Sequence, residues 1–143
     1  MEEINMYFAW KEEYSVYIDE IDEQHKKIFE IGRKVSNMIF AKDENYSKED
    51  VLSILEELNS YTEFHFKFEE DMMKEYGYAH YETHKHEHEI LIEGIQKIEW
   101  NSLEKLQKDT LMELINFIFV WISNHILNSD KKYSDLISDK YKM

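Results

Sequence analysis

The sequence predicts an all-α fold: an up-down-up-down antiparallel four-helix bundle with an N-terminal arm and a short C-terminal helix. Three observations predict it. The chain has no proline and only three glycines, Gly32, Gly77 and Gly94, so β-turn formers are scarce. Apolar residues recur in steps of three and four along four long segments, the period of one helix face. The polar connections between those segments are short, and short connections join antiparallel neighbours.

The first 18 residues read as an extended arm laid over the bundle, carrying Phe8, Trp10, Tyr14 and Val16. A first helix is expected at 19–41, with the seam Ile18, Ile21, His25, Ile28, Gly32, Val35 and Ile39. A polar loop, 42–46, follows. A second helix is expected at 48–76, opened by a Ser47–Asp50 capping box. Its seam is Val51, Leu55, Leu58, Thr62, His65, Glu69 and Met72, and Gly77 marks its stop. A third helix is expected at 79–100, with seam Tyr81, His84, His88, Leu91, Ile95 and Ile98; Asn101 and Ser102 open the next turn. A fourth is expected at 104–128, with seam Leu111, Leu114, Ile118, Trp121 and His125. A last short helix, 131–139, has Ser129 or Asp130 as its expected cap.

Composition narrows the function classes. A chain of 143 residues is expected to form one domain, 1–143, large enough for a true core. Ten tyrosines, eight phenylalanines and three tryptophans argue against disorder despite a formal charge of −14. That charge also argues against nucleic acid or anionic membrane as a partner, because both reward basic patches. Zero cysteines remove disulfides, zinc–thiolate sites, iron–sulfur clusters and thiol nucleophiles together. The N-terminus is acidic and lacks the pattern of a signal peptide. The most apolar stretch, 114–122, is interrupted by Asn116 and is too short to span a bilayer. The expectation is a soluble, cytoplasmic monomer.

Five histidines and two carboxylates fall on the expected buried faces: His25, His65, Glu69, His84, His88, His125 and Asp130. Buried ionisable groups are costly unless paired, hydrogen-bonded or metal-bound. By depth, His25 is near the start of its helix, His65 and Glu69 toward the end of theirs, His84 and His88 near the start, and His125 near the end. In an antiparallel bundle all four positions share one end. With a rise of ~1.5 Å per residue, a modest shift in any one helix would take its ligand out of reach. Taken singly, each histidine reads as an ordinary structural residue; packing alone does not require seven to converge. His65 and Glu69 are four apart, as are His84 and His88, so each pair shares a helix face. Asp130 lies five beyond His125, which on a regular helix turns it away by about 140°. It reaches the same site only if the helix ends or bulges near Asn128.

Imidazole with carboxylate suits iron, zinc, copper or manganese, and seven ligands are too many for one tetrahedral zinc. Two octahedral ions offer twelve positions. Five histidines, two bridging carboxylates and one oxo or hydroxo bridge would fill all but one. One vacancy enclosed by Phe, Ile, Leu and Trp suits a small molecule such as O2.

The order His … His-x3-Glu … His-x3-His … His-x4-Asp resembles the hemerythrin family, its bacterial branch in particular. Local wording agrees: IDEQHKKIFE around His25, HFKFEEDMM around His65 and WISNHILNSDKKY around His125. The resemblance covers nearly the whole chain, including the Trp10 arm. It implies a four-helix bundle that binds O2 reversibly at a non-haem centre of two oxo- or hydroxo-bridged iron ions. Carried onto this sequence, His84, His88 and His125 would hold the coordinatively full iron. His25 and His65 would hold the iron with the vacancy, and Glu69 and Asp130 would bridge. Ala79 stands where the bacterial branch often has proline, which bears only on the loop after Gly77. By seam position Phe68, Trp121 and Ile122 would wall the site; the competing reading is plain core.

A second class of function is a di-iron oxidoreductase turning over O2, peroxide or nitric oxide. The ferritin-like enzymes of that kind use Glu-x-x-His motifs, and none occurs here. A histidine-rich set of neutral ligands favours the ferrous state, so reversible binding for storage, delivery or sensing is preferred, with an unidentified protein as recipient. A zinc hydrolase lacks His-Glu-x-x-His, and a storage cage has no sequence support. His80 and His86 are expected at the surface. Asp22 and Glu23 read as the polar face of the first helix, and Met38, Met72, Met73 and Met112 as core filler.

Overall fold

The computed structural model describes residues 8–40, 47–96 and 108–141. Four long helices form the bundle: α1 (Asp19–Phe40), α2 (Lys48–Glu75), α3 (Tyr81–Gln96) and α4 (Lys108–His125). A π-helical segment, Ile126–Asp130, joins α4 to α5 (Lys131–Tyr141). Among the described residues there is no strand. Helix α1 packs against α2 and α4, and α2 packs against α3. The expected loop 42–46, the turn at Asn101 and Ser102, and the outer ends of the third and fourth expected helices lie outside the described residues.

The expected seams of α1 and α2 are buried at every position from Ile18 to Ile39 and from Val51 to Met72. The capping box forms: the Asp50 N–H donates to Ser47 Oγ at 3.1 Å, and the Ser47 N–H donates to Asp50 Oδ2 at 3.0 Å. Helix α2 stops in a Schellman motif, with the Tyr78 N–H on Met73 O and the Gly77 N–H on Lys74 O. That motif needs a left-handed residue, and Gly77 supplies it at φ +68°.

The seam of α4 differs from expectation. Ile115, Ile118 and Ile122 are buried, while Leu111, Leu114 and Trp121 are only partly so. This helix is apolar nearly all round over 114–122, so periodicity alone cannot choose its inner face.

The expected break and cap before the last helix are absent. Neither Ser129 nor Asp130 opens a separate helix; the Lys131 N–H donates to Ile126 O, five residues back, and the chain stays helical. The continuous helix Leu111–Ile137 is therefore long and apolar enough, by length and composition, to cross a membrane. This corrects the expectation drawn from 114–122. A core helix passes the same test, and this one buries Ile115, Ile118, Ile122, His125, Ile126 and Asp130 in the bundle.

The arm is pinned at two points. Phe8, fully buried, lies against Phe29 and Phe119, with ring centroids at 5.9 and 5.2 Å. It fits because Gly32 has no side chain; a Cβ there would stand 2.6 Å from the Phe8 ring. Asp22 holds the arm's end, accepting from Ser15 Oγ at 2.6 Å and from the Val16 N–H at 2.8 Å. Asp22 is thus a tether and not simply part of a solvated face.

Candidate metal centre

The backbone explains how the seven residues meet. His25 leaves the start of α1, His65 and Glu69 the end of α2, His84 and His88 the start of α3, and His125 the end of α4. Their convergence at one end requires the helices to alternate in direction. Asp130 joins them through the π segment. In a π turn each N–H reaches five residues back, so a residue five beyond His125 returns to its face. All seven are buried, from 0% exposed for Glu69 and Asp130 to 6% for His125.

They form two clusters that share Asp130. One holds His84, His88, His125 and Asp130; the other holds His25, His65, Glu69 and Asp130. In the first, His125 Nε2 lies 3.0 Å from both His84 Nε2 and His88 Nε2. Asp130 Oδ1 stands 2.9 Å from His84 Nε2 and 3.2 Å from His125 Nε2. In the second, His25 Nε2 lies 3.1 Å from Asp130 Oδ2 and 3.5 Å from Glu69 Oε1, and His65 Nε2 also faces Glu69 Oε1. Glu69 Oε2 turns the other way, 3.7 Å from His84 Nε2. Each carboxylate thus presents one oxygen to each cluster, the disposition of a bridging ligand.

The donor set fits a cation. Both oxygens of Glu69 and of Asp130, both ring nitrogens of His25 and Nε2 of His65 are buried with no hydrogen-bond partner. Such a group of unsatisfied atoms is costly unless something positive stands among them. Within the clusters, carboxylates and imidazoles shift one another's affinity for protons. Burial works against a charge on His25, yet Asp130 and Glu69 hold its pKa up at about 9. Burial opposes a charge on His125 too, but Asp130 and Glu87 raise it to about 10. Burial would raise the Asp130 carboxyl, but His125, His25 and His84 carry it well below the ordinary range. His65 moves the other way, lowered chiefly by burial.

Aromatic side chains close the site. Trp121 stacks on His125 with centroids 4.6 Å apart, and Ile122 is buried beside it in sequence, 4% exposed. Phe68 is half-buried and packs against the core. The α2 ring that lies on a ligand is Phe66, stacked on His88 at 3.8 Å. Tyr133, fully buried, stands edge-on to His84 at 5.3 Å. His80 and His86 are exposed, as expected, and belong to neither cluster.

The sequence matches the family described as "Hemerythrin HHE cation binding domain" over residues 16–137. The chain belongs to the hemerythrin family. It is 36% identical to the bacteriohemerythrin of Clostridium acetobutylicum over 130 residues, 90% of this chain and 99% of that protein. It is 30% identical to the bacteriohemerythrin of Stenotrophomonas maltophilia, over 90% of this chain and 80% of that one. A crystal structure of wild-type hemerythrin superposes with a TM-score of 0.77 at 27% identity, covering 91% of this chain and 97% of that one.

Three residues of this hemerythrin site escaped the sequence reading. Behind the ligands, His65 Nδ1 lies 2.7 Å from Gln24 Oε1, His88 Nδ1 2.8 Å from Glu70 Oε2, and His125 Nδ1 3.1 Å from Glu87 Oε2. These contacts leave Nε2 of each ring facing inward. The His125 imidazole beside it draws the pKa of the Glu87 carboxyl down to about 2. Gln24, Glu70 and Glu87 each adjoin a ligand in sequence, which is the only signal that marks them.

Proposed function

We propose that this chain binds O2 reversibly at a non-haem di-iron centre and serves storage, delivery or sensing rather than catalysis. His84, His88 and His125 would hold the iron with no free position. His25 and His65 would hold the iron with the open one, and Glu69 and Asp130 would bridge the pair. Held by these residues, ferrous iron would supply the electrons for O2 binding.

One observation carries the reading: two buried clusters, one with three histidines and one with two, share carboxylates that turn an oxygen to each. The unequal histidine count leaves the second cluster short of a ligand, and that is where a small molecule would fit. The protein's part is to orient the imidazoles through their Nδ1 partners and to keep water and protons out. Trp121, stacked on His125, and Phe66, stacked on His88, serve the second task, and we assign Ile122 and the half-buried Phe68 to the same apolar wall. We place the protein in the cytoplasm as a soluble monomer, with an unidentified protein as recipient where it delivers O2.

The test is an optical titration. Metal-free protein is loaded with ferrous iron without oxygen, iron is counted, air is admitted and then removed. Two irons per chain, and a visible charge-transfer band that appears with air and fades on degassing, are expected. Fast irreversible oxidation would overturn reversible binding in favour of an oxidoreductase acting on O2, peroxide or nitric oxide.

A further inference from the structure

The two clusters differ in more than histidine count. In the three-histidine cluster, two imidazoles are backed by carboxylates: His88 by Glu70, hydrogen-bonded at 2.8 Å, and His125 by Glu87, in ion-pair contact at 3.1 Å but outside hydrogen-bond geometry. In the two-histidine cluster, His65 is backed by the neutral amide of Gln24 at 2.7 Å, and His25 Nδ1 is buried with no hydrogen-bond partner. An imidazole that donates its Nδ1–H to a carboxylate gains basicity at Nε2 and is fixed in one tautomer and orientation. An amide oxygen fixes the orientation but carries no charge to share. Among the described residues, the carboxylate support from outside the ligand set therefore falls on one side of the centre.

We propose that Glu70, Glu87 and Gln24 grade the two metal positions. The carboxylates make the His84–His88–His125 position the tight one, filled first and emptied last. The amide leaves the His25–His65 position weaker and exchangeable. This inference rests on the di-metal reading above and adds to it a division of labour: one ion anchors the centre, and the ion beside the open position is held by the less electron-rich ligands. Glu70, Glu87 and Gln24 are positioning residues, acting through imidazoles they touch on the far side from the metal. The difference between three histidines and two already favours the same order. A test must therefore change the Nδ1 partners while keeping all seven ligands.

Cobalt(II) is a suitable probe, because its visible spectrum reports the ligand field and it needs no O2. Metal-free full-length protein is titrated without oxygen, in competition with a chromophoric chelator, for the natural sequence and for Glu70→Gln, Glu87→Gln and Gln24→Glu. The natural protein should take up two ions in two resolved steps. Each Glu→Gln change keeps the shape and an acceptor oxygen but removes the charge, and should weaken the first step by about tenfold with the second unmoved. Gln24→Glu should act in reverse, tightening the second step by about tenfold and narrowing the gap. This gain cannot come from a damaged fold. First-step affinities of both Glu→Gln variants within about twofold of the natural protein, where tenfold is expected, would overturn the grading. So would equal loss at both steps, or no gain in Gln24→Glu. Those results would leave the di-metal centre standing. Failure of the natural protein to bind close to two ions would remove the di-metal reading and the grading together.

Discussion

The ligand end of the bundle and the region beneath the arm are buried alike and built on opposite rules. Under the arm, Phe8, Phe29, Tyr14 and Phe119 meet edge to face, and Gly32 leaves the space that Phe8 fills. Those contacts are complete as they stand. At the ligand end, Glu69, Asp130, His25 and His65 are as deeply buried, yet both carboxylates, both nitrogens of His25 and Nε2 of His65 lack hydrogen-bond partners. The first region stabilises the fold unaided. The second does so only when positive charge is supplied among the carboxylates. Burial therefore does not separate core from site in this molecule; the concentration of unsatisfied ionisable atoms at one end does.

The largest expected effect breaks the ligand end alone. His65→Ala removes an inward-facing nitrogen while the apolar seam of α2 remains. Oxygenation of the ferrous-loaded variant should be abolished, with no oxygen-dependent charge-transfer band, while the far-ultraviolet dichroism stays helical. An unchanged band would remove His65 from the ligand set.

Chelation sharpens the same contrast. A ligand present at a thousand times its dissociation constant stabilises the folded state by about 4 kcal/mol. Stripping the metal should therefore lower the thermal midpoint by roughly 12 °C for a chain of this size. Scanning calorimetry with and without chelator measures it. Coincident midpoints would mean that the ligand end is satisfied by its own protons.

Much of this was legible in the sequence, and the exceptions share a cause. The seams of α1 and α2 alternate apolar and polar residues cleanly, so period alone located their inner faces. His25, His65 and Glu69 were readable because an ionisable side chain on such a seam stands out, and His84, His88, His125 and Asp130 through their spacing and order along the chain. The five-residue spacing from His125 to Asp130 demanded that the helix end or bulge near Asn128, and it bulges and runs on. The inner face of α4 was lost in a stretch apolar on all sides. Gln24, Glu70 and Glu87 sit at the edges of their seams, where side-chain reach depends on how neighbouring helices are rotated. One sequence pattern carries no information about that rotation.

Beneath the arm, Gly32→Ala is the complementary lesion. Its Cβ would meet the Phe8 ring at 2.6 Å, so Phe8 must shift or leave. Overpacking of this kind costs about 2 kcal/mol, readable as a lower urea midpoint. Metal content should stay at the natural value. A loss of metal in this variant would show that the arm supports the ligand end and that the two regions are one unit.

The smallest effect is expected farthest from the metal. Ser47 caps α2, and His65 lies 18 residues further along the same helix, a rise of about 27 Å. The capping box supplies two exposed hydrogen bonds, Asp50 N–H to Ser47 Oγ and Ser47 N–H to Asp50 Oδ2. Ser47→Ala deletes the first and frees the helix end to fray. The cost should be about 1 kcal/mol, and Ser47→Asp, which restores an acceptor, should recover most of it. Fraying of the first turn leaves the later turns intact, because helical hydrogen bonds span only four residues. Cobalt(II) affinity at both steps should therefore match the natural protein while the urea midpoint falls. If affinity falls with stability in Ser47→Ala and returns in Ser47→Asp, the cap and the ligand end are coupled along α2, and the separation of a self-sufficient core from a metal-dependent end fails.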